Sequence, residues 1–213
     1  MKNILFLGPP GSGKGTQAKM LADYLNVPTL SSGDMLRDEV DRGSELGKKI
    51  KTYMQSGDLV PDEIIILLIK NFLVQKHLNG FILDGFPRNI NQAYSLEKMF
   101  LEIGKSTDKV FNFEVPDDVL IKRILGRYSC KECGSIYNTY SKPTSRLGIC
   151  DKCNSDKLEC RKDDNEQVLK NRLLVYHKST FPLIDFYQKK HLLISIEAVK
   201  SSHIIFDVLK NSL

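Results

Sequence analysis

The chain has 213 residues, of which 41% are hydrophobic and 27% are charged, a composition that excludes intrinsic disorder and fibrous repeats. Its 31 Lys and Arg against 26 Asp and Glu give a formal net charge of +5, which suits a polyanionic small ligand or nucleic acid equally well. The longest apolar run, Ile64–Ile69, is far shorter than the roughly 18 residues of a membrane helix. We therefore expect a soluble, cytoplasmic protein with no membrane partner.

The first predicted elements are a strand, a glycine-rich loop and a helix. Residues 4–7 are continuously apolar and end at Gly-Pro turn chemistry, which predicts a buried strand over residues 2–7. A helix is predicted to begin near Gly13, with apolar residues at helical spacing as far as Leu25, and to stop at Asn26 and Pro28.

Residues 31–60 have a different character from the segment before them. Asp34 and Ser44 are placed to cap two short helices, each with a thin apolar stripe. We interpret this segment as an inserted helical subdomain that moves relative to the core. The helix that follows, over residues 62–72, is apolar nearly all round and is predicted to lie in the core.

The second half of the chain continues the alternation of strands and helices. Strands are predicted at residues 81–84, 110–115 and 192–196, the last followed by a closing helix. Asp117 or Asp118 is predicted to cap a helix that runs to Gly126, and residues 165–187 to be helical with a break near Pro182. The pattern predicts an α/β fold in three layers, with a central parallel sheet covered on both faces.

The glycine loop carries the clearest chemical motif. The segment from Gly8 to Thr16 contains the phosphate-loop pattern G-x4-G-K between a strand and a helix. Glycines allow backbone N–H groups to point at phosphate oxygens, the helix N-terminus adds its positive dipole end, and Lys14 can bridge the outer phosphates. Gly15 follows the lysine, so the hydroxyl comes one residue later, at Thr16. We predict a phosphate-binding loop.

A carboxylate and an arginine follow the second predicted strand. Asp84 ends that strand beside the loop strand, where it is placed to hold Mg²⁺ through water. The bland alternative is a turn or helix-capping aspartate. The turn Gly85-Phe86-Pro87 favours the metal role, because it can aim Arg88 at the ligand crevice where the strands end.

Four further arginines have spacings that suggest a phosphate cage. Arg123 and Arg127 are four residues apart and share one helix face if that helix continues. Arg161 and Arg172 are eleven apart, which on one continuous helix is about 20° of rotation and roughly 16 Å of rise. They would then reach opposite ends of a long phosphate chain. Each arginine alone is also consistent with a solvated surface charge.

Four of the five cysteines have the spacing of a four-thiolate zinc site, Cys130-x2-Cys133-x16-Cys150-x2-Cys153. A closed set of four thiolates makes the metal structural and leaves no open position for Lewis-acid catalysis. The segment 126–163 shows little periodicity, as expected of a small domain ordered by its metal. Cys160 is predicted to be a small packing residue. His77, His177, His191 and His203 are scattered and are predicted to be surface or core residues.

Four motifs in order resemble those of the adenylate kinases of the bacterial long-lid type. The resemblance covers essentially the whole chain and rests on these segments: Gly8–Gln17, Ser31–Arg37, Asp84–Arg88 with Gln92, and Arg161-Lys162-Asp163-Asp164 with Arg172. It implies reversible phosphoryl transfer, MgATP + AMP to two ADP, by a monomer. It also implies a core (residues 1–30, 61–125 and 164–213), an AMP-binding subdomain (31–60) and a zinc-bearing lid (126–163).

The resemblance also implies roles for individual residues. The ATP side would comprise Gly11, Ser12, Gly13, Lys14, Gly15, Thr16, Arg127, Ile136, Tyr137 and Lys200. The AMP side would comprise Ser32, Arg37, Asp58, Leu59, Val60, Gly85, Phe86, Pro87, Arg88, Gln92, Arg161 and Arg172. The catalytic set would be Lys14, Asp84, Arg88, Arg123, Arg161 and Arg172, while Asp163 and Asp164 help to close the lid.

The sequence departs from the family pattern at three places. Ser32 stands where many relatives have Thr, so it keeps the hydroxyl and loses a methyl contact. The loop Glu197–Lys200 lacks a glycine that relatives often have, which weakens the assignment of Lys200. The fourth metal position is Cys153, where some relatives have Asp, so this site is all-thiolate.

Two alternative functions stay open at this point. The nearest is a nucleoside monophosphate kinase for another base, although Gln92 and the Ser32 hydroxyl favour adenine. The distant one is a zinc-ribbon P-loop ATPase that binds nucleic acid. Against it, the lid has no dense Lys/Arg run, and its only stacking aromatics are Tyr128, Tyr137 and Tyr140. We therefore expect ATP, AMP and ADP as partners and no nucleic acid.

Overall fold

A computed structural model describes residues 2–76, 78–161 and 163–213. The predictions that concern Met1, His77 and Lys162 therefore lie outside the described residues. The strands are β1 (Asn3–Leu7), β2 (Thr29–Ser31), β3 (Phe81–Asp84), β4 (Lys109–Glu114), β5 (Arg127–Cys130), β6 (Ile136–Asn138), β7 (Leu158–Glu159) and β8 (Leu193–Glu197).

Along the chain the helices are interspersed with the strands of the main sheet, and in space they lie on both sides of it. They are α1 (Lys14–Leu25), α2 (Ser32–Asp41), α3 (Glu45–Ser56), α4 (Asp62–Lys76), α5 (Ile90–Glu102), α6 (Asp117–Leu125), α7 (Glu166–Val175), α8 (Pro182–Lys189) and α9 (Ser202–Asn211), with a π-helical turn at Tyr176–Thr180. Within the described residues, none of these helices is long and apolar enough to cross a membrane.

The predicted parallel sheet is confirmed. Five strands lie in the order β2-β3-β1-β4-β8, and all four neighbouring pairs are parallel. Alternate residues of β1 enter two separate cores: Leu5 and Leu7 pack with residues of α4, α5 and α8, while Ile4 and Phe6 pack with residues of α1 and α9. The period of two along a strand thus builds the three layers.

Helix ends agree with the predictions in some places and correct them in others. Ser44 caps α3 as predicted, by accepting a hydrogen bond from the Gly47 N–H. Asp34 does not cap α2, because Ser31 holds that position and Asp34 lies inside the first turn. Pro116, not an aspartate, precedes α6, and Asp117 and Asp118 lie in its first turn, where carboxylates favour the positive end of the helix dipole.

The segment predicted to be the lid is more regular than its sequence indicated. Residues 126–163 contain an antiparallel sheet in the order β6-β5-β7, although its strands are only two to four residues long. The buried cluster of this sheet consists of Cys130, Tyr137 and Cys150, with Tyr128, Cys133 and Leu158 packed against it. Cysteines therefore supply much of the lid's interior.

Candidate active site

A cleft of about 810 Å³ opens where the parallel strands end. One wall is the glycine loop and the first turn of α1, and the opposite wall is formed by lid residues, among them Arg127, Ile136 and Tyr137. The carboxyl edge of a parallel sheet is the usual ligand site of such folds. Every residue assigned above to the ATP side and every residue of the catalytic set lines this cleft.

The glycine loop has the backbone that the motif requires. Gly8, Gly11 and Gly13 have φ angles of 141°, 81° and 94°, and a Cβ on Gly8 would lie 2.8 Å from the Phe113 carbonyl oxygen. Other residues would be strained at these positions. The Lys14 ammonium donates to the carbonyl oxygens of Gly8 and Pro9, each at 2.7 Å. Burial, only partly offset by Asp84, lowers the pKa of Lys14 to about 7.

Asp84 lies at the floor of the cleft beside α1. A Cβ placed on Gly15 would be 3.1 Å from Asp84 Oδ2, so the glycine after the lysine leaves room for this carboxylate. Burial raises the pKa of Asp84, while the charges of Lys14 and Arg88 oppose that shift. The carboxylate thus lies at the sheet edge near Lys14 and Arg88, and it offers the kind of oxygen ligand that a hydrated Mg²⁺ ion prefers.

Arg88 is held from several directions. Its Nε donates to the Gly85 carbonyl at 2.7 Å and its Nη2 to Ser32 Oγ at 3.2 Å. Its backbone N–H donates to Gln92 Oε1 at 2.7 Å, and its carbonyl accepts from Thr180 Oγ1 at 2.8 Å. Burial and the neighbouring Arg172 lower its pKa to about 10, so the guanidinium stays charged at neutral pH.

A second, smaller cavity of about 60 Å³ adjoins the first. It is lined by the residues assigned to the AMP side, except Pro87 and Arg161, which line only the larger cleft. Gln92 borders this cavity, but its Nε2 donates to Asp62 at 2.7 Å while its Oε1 accepts from Arg88. Arg37, Arg88 and Arg172 line both cavities.

The arginines of the predicted phosphate cage line one cleft, although not by the helical spacings proposed for it. Six of the eight arginines line the large cleft: Arg37, Arg88, Arg123, Arg127, Arg161 and Arg172. Arg123 and Arg127 share no helix face, because α6 ends at Leu125 and Arg127 begins β5. Arg161 and Arg172 share no continuous helix, because α7 begins only at Glu166. Arg123 donates to the Ala198 carbonyl at 2.9 Å and thereby contacts the loop that carries Lys200.

Two aspartates at the end of the lid hold arginines of the cage. Asp164 accepts two hydrogen bonds from Arg127, at 2.7 and 2.6 Å, and is almost fully buried. Asp163 accepts one from Arg172 at 3.0 Å. Paired, two-pronged contacts of this kind fix the plane of a guanidinium, so the lid boundary is joined to the cleft by charge.

The four cysteines meet as predicted. Their sulfurs all lie within 4.8 Å of one another, with Cys130 and Cys153 3.5 Å apart and Cys133 and Cys150 also 3.5 Å apart. Tetrahedral zinc–thiolate bonds of about 2.3 Å place sulfurs about 3.8 Å apart, so this set fits a metal ion. A hydrogen bond with the Tyr137 hydroxyl lowers the pKa of Cys150 to about 6, which favours the thiolate.

The cysteine pairs lie in two matching turns. The sequences CKECGS and CDKCNS align, and in each turn the N–H of the first cysteine donates to the serine carbonyl, at 2.9 and 2.8 Å. Gly134 and Asn154 hold equivalent positions with φ angles of 64° and 58°. The hydrophobic periodicity of the segment gives no sign of this short repeat. Such turns present both thiolates of a pair to one point.

The exposure of individual side chains corrects some of the other predictions and agrees with others. Cys160 is exposed, so it is not a packing residue. His177, His191 and His203 are exposed, in agreement with surface positions. Lys200 lines the cleft, but its ammonium pairs with Glu197 at 2.9 Å. Lys19 and Thr180 also line the cleft, and neither belongs to a motif of the sequence analysis.

The loop, the parallel sheet and the arginine-lined cleft define a P-loop protein that binds phosphate-bearing ligands. The family model for adenylate kinase matches residues 6–192. Similar curated proteins include the adenylate kinases of Methanosarcina mazei (46% identical, 98% of this chain and 96% of the relative), Caldicellulosiruptor saccharolyticus (49%; 90% and 89%) and Archaeoglobus fulgidus (46%; 93% and 91%). The chain belongs to the adenylate kinase family and is a phosphotransferase.

Proposed function

We propose that the large cleft binds MgATP, that the smaller cavity binds AMP, and that the γ-phosphoryl group passes between them in the reversible reaction MgATP + AMP to two ADP. The observation that carries this proposal is that Arg37, Arg88 and Arg172 line both cavities. Guanidinium groups shared by two anion sites are placed to stabilise charge that moves from one to the other.

The residue roles in this proposal follow the two cavities. Gly11–Thr16, Arg127, Ile136, Tyr137 and Lys200 hold ATP, and Ser32, Arg37, Asp58–Val60, Gly85–Arg88 and Gln92 hold AMP. Arg123, Arg161 and Arg172, together with Lys14 and Arg88, grip the transferring group. Asp84 holds the hydrated magnesium that accompanies ATP. These assignments agree with the lining of the two cavities.

This reaction needs no general base. The AMP phosphate is already an anionic nucleophile, so the protein has to align two polyanions and stabilise spread negative charge. Water is the competing acceptor. We propose that residues 126–163 and 31–60 close over ATP and AMP as mobile parts and exclude it. Contacts between the parts, such as Lys19 with the Gly134 carbonyl at 3.0 Å, support a closing role for the lid.

We propose that the four cysteines hold zinc. Four thiolates complete its coordination, so the ion would give the lid a fixed shape and take no part in phosphoryl transfer. We further propose that the protein acts as a cytoplasmic monomer. Nucleic-acid binding through the lid is disfavoured, because Tyr128 and Tyr137 stack on each other at 5.6 Å and Tyr137 is buried.

An assay of ADP formation tests the proposal. ATP is supplied with AMP, GMP, CMP or UMP in turn, and two adenosines joined by five phosphates serve as a bisubstrate inhibitor. We expect ADP from ATP and AMP alone, with strong inhibition by the mimic. If phosphoryl transfer to another monophosphate is faster, that monophosphate replaces AMP as the proposed acceptor. ATP hydrolysis without AMP-dependent ADP formation, together with salt-sensitive retention on DNA or RNA, would overturn the proposal in favour of a nucleic-acid-binding ATPase.

A further inference from the structure

The turn that carries Arg88 is tied to a second structural element, the π-helical turn Tyr176–Thr180. Pro182 has no N–H, and its ring crowds the carbonyl four residues earlier, so a regular α-helix cannot pass through this point. The chain widens instead, and the Phe181 N–H donates to the Tyr176 carbonyl at 2.9 Å. Turns of this kind are frequent at functional sites.

Thr180, the last residue of the π-helical turn, is 7% exposed, and its hydroxyl donates to the Arg88 carbonyl at 2.8 Å. On the other side, Gln92 accepts from the Arg88 N–H at 2.7 Å. Both peptide groups that flank the Arg88 Cα are therefore fixed by side chains, one from α5 and one from the π-helical turn. A guanidinium group is positioned accurately only if the backbone that carries it is held in place.

The Thr180 bond is not needed to begin the neighbouring helix. Asn89 caps α5 by itself, since its Oδ1 accepts from the Gln92 N–H at 2.8 Å and its Nδ2 donates to Asp62 at 2.9 Å. Removing the Thr180 hydroxyl would leave that cap in place while freeing the Arg88 carbonyl. Loss of the hydroxyl should therefore change the position of Arg88 and leave the start of the helix intact.

We propose that Thr180 is a positioning residue for AMP and for the transferring phosphoryl group, acting through the Arg88 carbonyl. This inference rests on the proposed role of Arg88 in the phosphate site. It extends that site to Thr180, a residue that lines the large cleft but whose hydroxyl is bonded to the Arg88 carbonyl. Because one neutral hydrogen bond is involved, its loss corresponds to about a fivefold change in rate or affinity.

The test compares Thr180→Val, which removes the hydroxyl at similar size, with Thr180→Ser, which keeps it. We expect Thr180→Val to lower kcat/KM for AMP about five- to tenfold while KM for MgATP stays within about twofold, and Thr180→Ser to lie within about twofold of wild type. Thr52→Val is the matched control, because Thr52 is exposed on α3 and, among the described residues, its hydroxyl meets only the Lys48 carbonyl of its own helix.

A second background separates positioning from general stability. In Arg88→Lys, the planar fork is gone, so adding Thr180→Val should cost less than about twofold. An equal loss in both backgrounds, an equal rise in KM for ATP, or a Thr180→Val enzyme indistinguishable from wild type would each overturn the inference. If Thr180→Val fails to fold, Thr180→Ala replaces it at low temperature. All variants use the monophosphate that the wild type accepts, so failure of AMP as substrate counts against the proposed function alone.

Discussion

The core and the lid reach a fixed shape by different interactions. The core packs two layers of helices on five parallel strands, and its buried residues are Leu, Ile, Val and Phe almost throughout. The lid has strands of two to four residues, and two of its three fully buried cluster members are cysteines. Hydrophobic burial is sufficient for the larger region, whereas the smaller one has little apolar surface, and the proposed metal would supply the missing constraint.

Among the core residues, the phosphate-loop lysine should matter most for the chemistry. Lys14→Met should lower phosphoryl transfer by about 10²- to 10³-fold, because one preorganised cation at the phosphates is lost. Steady-state kinetics measure the loss, and metal content should not change. Lys70→Met, at an exposed pair with Glu102, is the control. A Lys14→Met enzyme with a tenth of wild-type activity would contradict the assignment.

The metal should matter for stability more than for chemistry. Chelation or Cys130→Ser should lower the thermal midpoint by about 10 °C or more, because the lid loses its main organising contact. Activity at low temperature should fall by much less. Calorimetry and kinetics on the same samples test this, with exposed Cys160→Ser as control. An immediate, equal loss of activity in a still-folded sample would exclude a purely structural metal.

The joint between the two regions should show the next largest effect. Asp164→Asn leaves the Arg127 guanidinium without its charged partner in a nearly buried site, at a cost of about 3 kcal/mol. The thermal midpoint should fall by about 6–12 °C. Glu132→Gln breaks the exposed pair with Lys157 and should change it by about 1 °C. Equal shifts in both variants would mean that the joint contributes no more than a surface pair.

A smaller effect should appear in proton exchange. The pKa of Lys14 is lowered to about 7, so at about pH 8 its amine is mostly neutral before ATP binds. Bound phosphates favour the ammonium, so binding should take up close to one proton at about pH 8 and almost none at about pH 6. Calorimetry in two buffers of different ionisation enthalpy measures this. Lys14→Arg, which stays charged, should show no uptake, and chelation of the lid metal should leave it unchanged.

Sequence reasoning succeeded where chemistry is local. The loop from Gly8 to Lys14 and the two Cys-x2-Cys turns each specify their own backbone, so their sites could be predicted without the fold. It failed where a neighbouring segment of the fold determines the local structure. β2 has three residues and exists because β3 pairs with it. Arg127 and Arg161 enter the cleft on lid strands and loops, which no helical spacing describes.

Thr180 shows a third kind of limit. The break near Pro182 was predictable from proline chemistry, but the consequence, a hydroxyl on the carbonyl of Arg88, joins residues far apart in the chain. Cys160 illustrates the reverse error, since a residue type that is usually buried is exposed here. Residue type gives a statistical expectation, and tertiary contacts decide the individual case.

The two-pronged contact between Arg127 and Asp164 also has a consequence for how this protein can be altered. The lid leaves the core beside Arg127 and returns beside Asp164, so the chain between them is a loop whose ends are already joined. The entropy of closing such a loop changes only slowly with its length. We therefore expect that changing the length of the segment between Arg127 and Asp164 leaves the register of the parallel sheet unchanged, because its two ends stay joined.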